Sequence, residues 1–361
     1  MRLLSGWSLG TGQSNAISSA VLEASVRIQG HVHLTPVEPS PWLSGLSGLT
    51  VHLKLESEQR TGSFKVRGAV NKVLSLSSSE LDRGMVTSST GNHALAFMYA
   101  CSCLEKLREE AAERSTKCNS AAGAVRPAIY LPSSASAYKV NKVRAQGTAD
   151  IILFGNDCVE SENEAARVAQ LKGATYISPY NDLQVMAGQG TISIDLMQQL
   201  PRKSVDIVFI PVGGGGLISG MAAMLKAADP SIWVVGCQPA ASDVMRQSVQ
   251  AGCVIDVPSH PTLSDATAGG IEEGALTLQP CTDYVDEWVL VSEDEIRAAV
   301  VGVLKHHSKL IEGAAGCAVA ALIKSSSNAE LQGKSAVVLC CGGNISFSTL
   351  SELICKEINY N

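Results

Sequence analysis

The feature that most constrains the fold is an apolar segment that runs directly into consecutive glycines. Residues 204–212 are mostly apolar, which is typical of a parallel strand buried on both faces. The glycines that follow are Gly213, Gly214, Gly215 and Gly216. Residues 217–223 are small or apolar, as at the start of a buried helix. Successive glycine N–H groups can converge on one anion beside the positive end of a helix, so the segment predicts a phosphate-binding loop between a strand and a helix.

Further apolar segments alternate with helical ones along the chain. Strands are predicted at 51–55, 128–131, 150–154, 175–177, 207–212, 233–237 and 336–341, and helices between them, such as 162–172 and 293–309. Such alternation predicts an α/β fold of open, mostly parallel sheets with helices on both faces.

The glycine loop differs from the common nucleotide-binding motifs. The dinucleotide pattern fails because its third glycine position falls on Ile218 or Ser219. A second candidate, Gly-Lys-Ser at 333–335, lacks the first glycine of a P-loop because Asn328 occupies that position. A compact phosphate monoester therefore fits the loop better than a nucleotide.

Lys65 is the second chemical feature, because it lies among apolar neighbours in Ser-Phe-Lys-Val-Arg-Gly-Ala, residues 63–69. Burial lowers the pKa of a lysine and frees a nucleophilic amine that can form a Schiff base with an aldehyde. The alternative is an amphipathic helix whose Lys65 extends its ammonium to solvent. A lysine of this kind and a phosphate-binding loop are the two anchors that pyridoxal phosphate requires.

Four motifs together resemble the fold-type II pyridoxal-phosphate enzymes, in the branch of serine/threonine dehydratases and serine racemases. They are residues 63–69, Ser-Thr-Gly-Asn-His at 89–93, the glycine loop after Val212, and Cys-Gly-Gly-Asn at 341–344. The resemblance covers about residues 20–350. It implies two open, mostly parallel twisted sheets flanked by helices, in a tryptophan synthase β-like arrangement.

The resemblance also implies two domains with the active site between them. A large domain that binds pyridoxal phosphate would comprise residues 1–83 and 179–361, and a small domain, 84–178, would be inserted in it. The charged segment 103–126 is interpreted as a surface insertion, helical at 105–110 and loop-like at 115–123. No appended amino-acid-sensing domain is expected after residue 350.

Carried onto this chain, the resemblance implies a role for each motif residue. Lys65 would form the Schiff base and then act as the base at the substrate's α-carbon. The other cofactor-binding residues would be Asn92 at the phenolic oxygen, Gly213, Gly214, Gly215 and Gly216 at the phosphate, and Cys341 at the ring nitrogen. The substrate carboxylate would be held by Ser89, Thr90, Gly91, Asn92 and His93. Thr90 is also the candidate second acid/base, because related racemases carry a serine at this position.

Several of these residues have a structural alternative. Asn92 could cap a helix that begins beside it, and His93 could brace the loop. Cys341 could be a core thiol at the end of a strand. Glu312 is expected near the cofactor, but it could instead stabilise a helix dipole from the first turn.

The predicted activity is that of an L-serine/L-threonine ammonia-lyase, which eliminates water and gives ammonia and pyruvate or 2-oxobutanoate. The alternatives within the class are a serine racemase and an ammonia-lyase for another β-hydroxy amino acid such as threo-3-hydroxyaspartate. From a different class, the chain could bind the cofactor without turnover. No metal is expected, because Gln238 and Val244 stand where metal-activated relatives carry carboxylates.

Composition limits the partners. Of 361 residues, 45% are hydrophobic and 17% charged, and the net charge of −6 argues against binding to nucleic acid or to an anionic membrane surface. The sequence has eleven cysteines, an odd number, and no C-x-x-C motif, so neither a disulfide framework nor a zinc ribbon is indicated. We therefore expect a cytoplasmic protein without a membrane or nucleic-acid partner. As the ammonia-lyase that the resemblance implies, it is expected to be a homodimer that acts on a small-molecule amino acid.

Overall fold

The computed structural model describes residues 16–89, 91–114, 127–133, 135, 137–147, 149–156 and 158–360. The strands are β1 (Val37–Pro39), β2 (Thr50–Leu55), β3 (Met85–Ser88), β4 (Ala128–Leu131), β5 (Asp150–Leu153), β6 (Thr175–Tyr176), β7 (Ile207–Pro211), β8 (Trp233–Pro239), β9 (Glu287–Val291) and β10 (Ser335–Cys340). The helices are α1 (Ala16–Arg27), α2 (Pro41–Ser47), α3 (Lys65–Ser75), α4 (Ser78–Asp82), α5 (Asn92–Arg114), α6 (Ala137–Arg144), α7 (Cys158–Lys172), α8 (Leu183–Gln199), α9 (Gly216–Ala228), α10 (Val244–Ala251), α11 (Leu278–Tyr284), α12 (Glu293–His307), α13 (Gly313–Ser325) and α14 (Phe347–Tyr360).

The strands form two sheets, which confirms the predicted α/β fold. The larger sheet has the order β1-β2-β10-β7-β8-β9, and all neighbours in it are parallel except the edge pair of β1 and β2. The smaller sheet has the order β5-β4-β3-β6 and is entirely parallel. Because β2, β7 and β10 run in the same direction, their carboxyl ends meet at one edge of the larger sheet, where ligands bind in open α/β folds.

The centre of the larger sheet explains its apolar sequence. All residues of β7 are buried, and β10 is buried from Ala336 onwards. Helix α9 is buried along nearly its whole length and packs on α8. This contact needs glycine, because a Cβ atom on Gly220 would lie 2.0 Å from the carbonyl oxygen of Met186.

The smaller sheet contains β3, β4, β5 and β6, which all fall within residues 84–178. The exact division into two domains stays a prediction. The helix predicted at 105–110 is the second half of α5, whose end reaches Arg114, and the loop-like part at 115–123 lies outside the described residues.

Element ends differ from the sequence-based expectation by a few residues. Helix α12 ends at His307 and not at residue 309, because Ser308 takes a left-handed conformation with φ +53°. Helix α7 begins at Cys158, before the predicted residue 162, and β8 continues to Pro239. Within the described part of the chain, no helix combines the length and apolar character needed to span a membrane.

Candidate active site

Lys65 is the first residue of α3, and the segment before it is fastened to the end of β10. The amide of Phe64 donates to the carbonyl oxygen of Cys341 at 3.0 Å, and Ser63 forms a β-bridge with Gly342. These bonds bring two motifs that are far apart in the sequence to the same place. Lys65 and Cys341 line the same pocket.

The side chain of Lys65 lies in this pocket, with its ammonium donating to the carbonyl oxygen of Pro179 at 2.8 Å. Burial lowers the pKa of Lys65 from its ordinary 10.5 to about 8, and nearby acidic groups oppose this only in part. A substantial fraction of the amine is therefore neutral near physiological pH. Such an amine can attack an aldehyde and later accept a proton.

The glycine loop forms another wall of the pocket, between β7 and α9. Gly215 has φ +83°, which favours glycine, and directly precedes the helix. Among the described residues, no protein acceptor is hydrogen-bonded to the amides of residues 213–216. A Cβ atom on Gly214 would lie 2.6 Å from the ring of Tyr180, so a side chain there would displace the ring that packs against the loop. The loop thus presents free N–H donors at a helix N-terminus, as an anion site requires.

Tyr180 and Thr277 support this loop, and sequence reasoning missed both. The Tyr180 hydroxyl accepts from the amide of Glu272 at 2.8 Å, and its ring packs against the glycines. The Thr277 hydroxyl donates to the carbonyl oxygen of Gly214 at 2.7 Å. The only sequence signal for Tyr180 is its place shortly after the carboxyl end of β6.

Glu312 and Asn92 face each other in the pocket wall. The side-chain amide of Asn92 donates to Glu312 Oε1 at 2.8 Å, and the backbone amide of Asn344 donates to Glu312 Oε2 at 3.1 Å. Glu312 is the N-cap residue of α13, but its side chain makes no capping bond. Burial raises the pKa of Glu312 to about 7, although the bond from Asn92 opposes the shift. The carboxylate therefore serves the pocket instead of the helix end.

The comparisons with known proteins agree with this geometry. A match to the family described as pyridoxal-phosphate dependent enzymes covers residues 28–108 and 114–342. This chain belongs to that family. Its cofactor is pyridoxal 5′-phosphate, as predicted.

Individual relatives are similar over nearly the whole chain. The L-threonine ammonia-lyase of Thermotoga maritima is 35% identical over 94% of this chain and 78% of its own length. The serine racemase of Dictyostelium discoideum is 31% identical over 92% of this chain and 96% of its own. The processed form of threonine deaminase isoform 2 from Solanum lycopersicum has a TM-score of 0.84 at 29% identity, over 96% of this chain and 90% of that structure. The fold is that of the fold-type II pyridoxal-phosphate enzymes.

The pocket of this family member fits the cofactor at both ends. Lys65 supplies a partly neutral amine for the aldehyde, and the free amides of residues 213–216 can hold the phosphate. Cys341 lies in the same pocket, and burial raises the pKa of its thiol well above the ordinary range, so the thiol is neutral. Cys340 is buried in the core of the larger sheet.

The loop that was predicted to hold the substrate carboxylate lies between β3 and α5. The Ser89 hydroxyl accepts from the amide of Gly91 at 3.2 Å, and Asn92 begins α5. Thr90 lies outside the described residues.

His93 is buried beneath this loop. Its Nε2 bonds Thr87 Oγ1 at 3.0 Å and the carbonyl oxygen of Ile177 at 3.1 Å. A carbonyl only accepts, so Nε2 carries the proton. Burial, together with nearby Lys65, lowers the pKa of His93 to about 3, so the ring is neutral. These contacts favour a bracing role.

Gln238 and Val244 stand at the two positions where the sequence analysis found no carboxylate to bind a metal. The Gln238 amide donates to the carbonyl oxygen of Val212 at 3.2 Å and accepts from the amide of Arg246 at 3.0 Å. Val244 is the first residue of α10. Gln238 thus ties α10 to the end of β7, and the absence of a metal requirement stays a prediction.

Proposed function

We propose that this enzyme is an L-serine/L-threonine ammonia-lyase, which removes water from a β-hydroxy amino acid and releases ammonia and a 2-oxo acid. The observation that carries the proposal is the partly neutral amine of Lys65 in one pocket with a free-amide anion cradle. The similarity to a threonine ammonia-lyase over 94% of the chain supports the reaction type.

Lys65 is proposed to hold the cofactor aldehyde covalently, residues 213–216 its phosphate, Asn92 its phenolic oxygen and Cys341 its ring nitrogen. When bound, pyridoxal phosphate supplies an electron sink that makes the substrate's α-proton acidic. A neutral Cys341 thiol does not force a proton onto the ring nitrogen, which suits elimination because the departing β-hydroxyl takes the electrons.

The substrate is proposed to bind with its carboxylate at Ser89, Thr90, Gly91, Asn92 and His93. Once free of the cofactor, the Lys65 amine would accept the α-proton, since an amine with a pKa of about 8 is a competent base near neutral pH. The Lys65 ammonium would return that proton to the β-hydroxyl, which would leave as water. The enamine product would then take up one water and give ammonia and the 2-oxo acid. Serine gives pyruvate and threonine gives 2-oxobutanoate.

The test measures ammonia and 2-oxo acid release by the holoenzyme from L-serine, L-threonine, threo-3-hydroxyaspartate and phenylserine. Borohydride reduction and peptide mapping should place the cofactor label on Lys65. Release from serine and threonine supports the proposal. A label at another residue, or a visible absorbance band that no amino acid changes, contradicts it and favours a cofactor-binding protein without turnover.

Serine racemase is the second candidate, because a serine racemase is 31% identical and Thr90 keeps a hydroxyl where related racemases carry a serine. We expect Thr90→Ala to preserve ammonia release and to abolish any D-serine formation. Chiral chromatography of the products decides this, and D-serine made by the variant would remove Thr90 as the second acid/base.

The assembly and the location of the enzyme are also proposals. We propose a homodimer in the cytoplasm, acting on a free amino acid. Light scattering of the purified holoenzyme would test the oligomeric state, and a monomer mass would contradict it.

A further inference from the structure

A chain of hydrogen bonds connects helix α6, beside the smaller sheet, with the pocket of the larger one. The Lys142 ammonium donates to Asn344 Oδ1 at 3.0 Å. Asn344 Nδ2 donates to Asn92 Oδ1 at 2.7 Å and to the carbonyl oxygen of Thr61 at 2.8 Å. Asn92 Nδ2 then donates to Glu312 Oε1 at 2.8 Å. Of the residues joined by these hydrogen bonds, Asn92 and Glu312 line the pocket, and Lys142, Asn344 and Thr61 do not.

Each hydrogen bond in this series is donated in the direction from Lys142 toward Glu312. An ammonium can only donate, so Lys142 requires the oxygen of the Asn344 amide on its side. The Asn344 nitrogen consequently faces Thr61 and Asn92. Since the Asn92 oxygen is then occupied as an acceptor, the Asn92 nitrogen must face Glu312. One hydrogen of that nitrogen is used by Glu312, and the other remains available for the pocket.

The same bonds join elements from the two sheets. Lys142 and Asn92 belong to α6 and α5, which pack together beside the smaller sheet. Asn344 follows β10 and Glu312 caps α13, both in the part built on the larger sheet. A group on α6 can therefore influence the orientation of a side chain in the pocket.

We propose that Lys142 is a positioning residue, whose ammonium acts through Asn344 to hold the Asn92 amide nitrogen toward Glu312 and the pocket. The inference rests on the proposed role of Asn92 in holding the cofactor. Lys142 lies outside the four sequence motifs of the site.

The first test is the affinity of the apoprotein for pyridoxal phosphate, titrated by visible absorbance. We expect Lys142→Met to weaken binding about fivefold, the scale of one lost charged hydrogen bond at a half-buried site. The matched control is Arg144→Met. Arg144 is exposed and is the other basic residue in the last turn of α6, so both variants lose the same helix-dipole interaction. The control should stay within about twofold of the wild type.

A double-mutant cycle distinguishes the relay from a general effect on folding. In an Asn344→Ala background, Lys142→Met should cause no further loss of affinity, because the link to Asn92 is already broken. Lys142→Arg should restore most of the affinity, since it keeps both charge and donors. Equal losses in the two backgrounds would contradict the relay.

A third readout is the titration of Glu312 in the apoprotein. The charged and titratable groups that act on Glu312 are Lys142, Lys65, Asp265 and Cys341. Because Lys142 lowers the pKa of Glu312, Lys142→Met should move the pH midpoint of Glu312-dependent stability upward, whereas Arg144→Met should not. Stability is compared at each pH with the matching Glu312→Gln variant.

Identical cofactor affinities in Lys142→Met and Arg144→Met would overturn the inference whatever the pH midpoints, because Lys142 also acts on Glu312 as a charge through space. Failure of the wild type to release ammonia would refute the proposed function instead. The affinity titrations need no turnover, so they decide the relay in either case.

Discussion

Two buried groups of charges each include a residue from the first turn of helix α3, Arg67 in one and Lys65 in the other, and they differ in how completely they are compensated. In the first group, Lys54 and Arg67 meet the carboxylates of Glu56 and Asp195, and almost all of this cluster is closed to solvent. In the pocket, Lys65 and Glu312 are not paired with each other by any bond among the described residues. We call these the compensated cluster and the pocket pair.

The two lysines show the difference most directly. Lys54 donates to the carbonyl oxygen of Thr35 at 2.8 Å and to Gln199 Oε1 at 2.9 Å, and it pairs with Asp195 at 3.4 Å. Burial lowers the pKa of Lys54, but Asp195 opposes this effect. Lys65 donates to a single carbonyl oxygen, and its pKa falls to about 8.

The two glutamates differ in the same way. Burial opposes the ionisation of Glu56, but Arg67 outweighs it with two hydrogen bonds of 2.8 Å each, so the pKa of Glu56 is lowered. No cation of this kind meets Glu312 among its described contacts, and burial raises its pKa to about 7. Burial alone therefore does not make a reactive group. A buried charge becomes reactive where its compensation is incomplete.

The largest expected effect is on catalysis. Lys65→Met should reduce ammonia release at least about 10³-fold and remove the visible absorbance of the bound cofactor, because both the covalent anchor and the base are lost. The apoprotein should not be destabilised at pH 7. At that pH Lys65 is mostly protonated in both states, since its pKa in the folded protein is about 8, and the folded state bears most of the cost of burying the charge. Urea unfolding of the apoprotein checks this, and a loss of stability would mean that Lys65 is a structural cation.

Lys54→Met should have the opposite profile. Although burial lowers the pKa of Lys54 as it does that of Lys65, removing Lys54 leaves the carboxylates of Glu56 and Asp195 to share the single cation of Arg67, which costs about 4 kcal/mol of unfolding free energy. The folded fraction should keep its turnover and cofactor absorbance. Lys324→Met is the control, because Lys324 pairs with Glu295 on the surface and its loss should cost about 0.5 kcal/mol. If Lys54→Met lost its turnover but kept the stability of the wild type, the compensated cluster would not differ from the pocket pair in function.

Glu312→Gln tests the acidic member of the pocket pair. Between pH 4.5 and 7 the folded wild type binds more protons at Glu312 than the unfolded chain does, so its stability falls relative to the variant as pH rises. We expect the difference between the two apoproteins to shift by about 3 kcal/mol toward the variant over that range.

Glu56→Gln should behave differently, because the pKa of Glu56 is lowered and the ionised form is the stabilising one. That variant should be less stable than the wild type at pH 7. If the stability of Glu312→Gln and of Glu56→Gln relative to the wild type changed with pH in the same direction, the difference between the pocket pair and the compensated cluster would be contradicted.

The smallest expected effect concerns amine reactivity. Below its pKa of about 8, Lys65 should react with an amine-specific acylating reagent about tenfold faster for each unit of pH, and the rate should level off above it. Lys54 should remain unlabelled in the folded apoprotein because it is fully buried. Labelling is quantified by mass spectrometry, and equal labelling of Lys54 and Lys65 would count against the comparison.

Much of the fold could be predicted because its signals are local. The buried strand β7, the glycine loop and α9 follow one another in sequence, and so do β2 and the Lys65 motif. Lys54 illustrates the limit. The alternating segment 51–55 predicts a strand, but nothing in it indicates that Lys54 is fully buried, because the groups that meet its ammonium, Asp195 and Gln199, come from helix α8.

The sequence by itself determined the alternation of strands and helices, the glycine loop, the apolar neighbourhood of Lys65 and the position of Cys341 at a strand end. These depend on side-chain periodicity and backbone geometry over a few residues. Only the tertiary structure decided which charges are compensated. Glu56 is met by the cation of Arg67, whereas the hydrogen bonds to Glu312 from the described residues come from the neutral amides of Asn92 and Asn344. The physical reason is that the pKa of a buried group depends on every dipole and charge around it, and most of these come from distant parts of the chain.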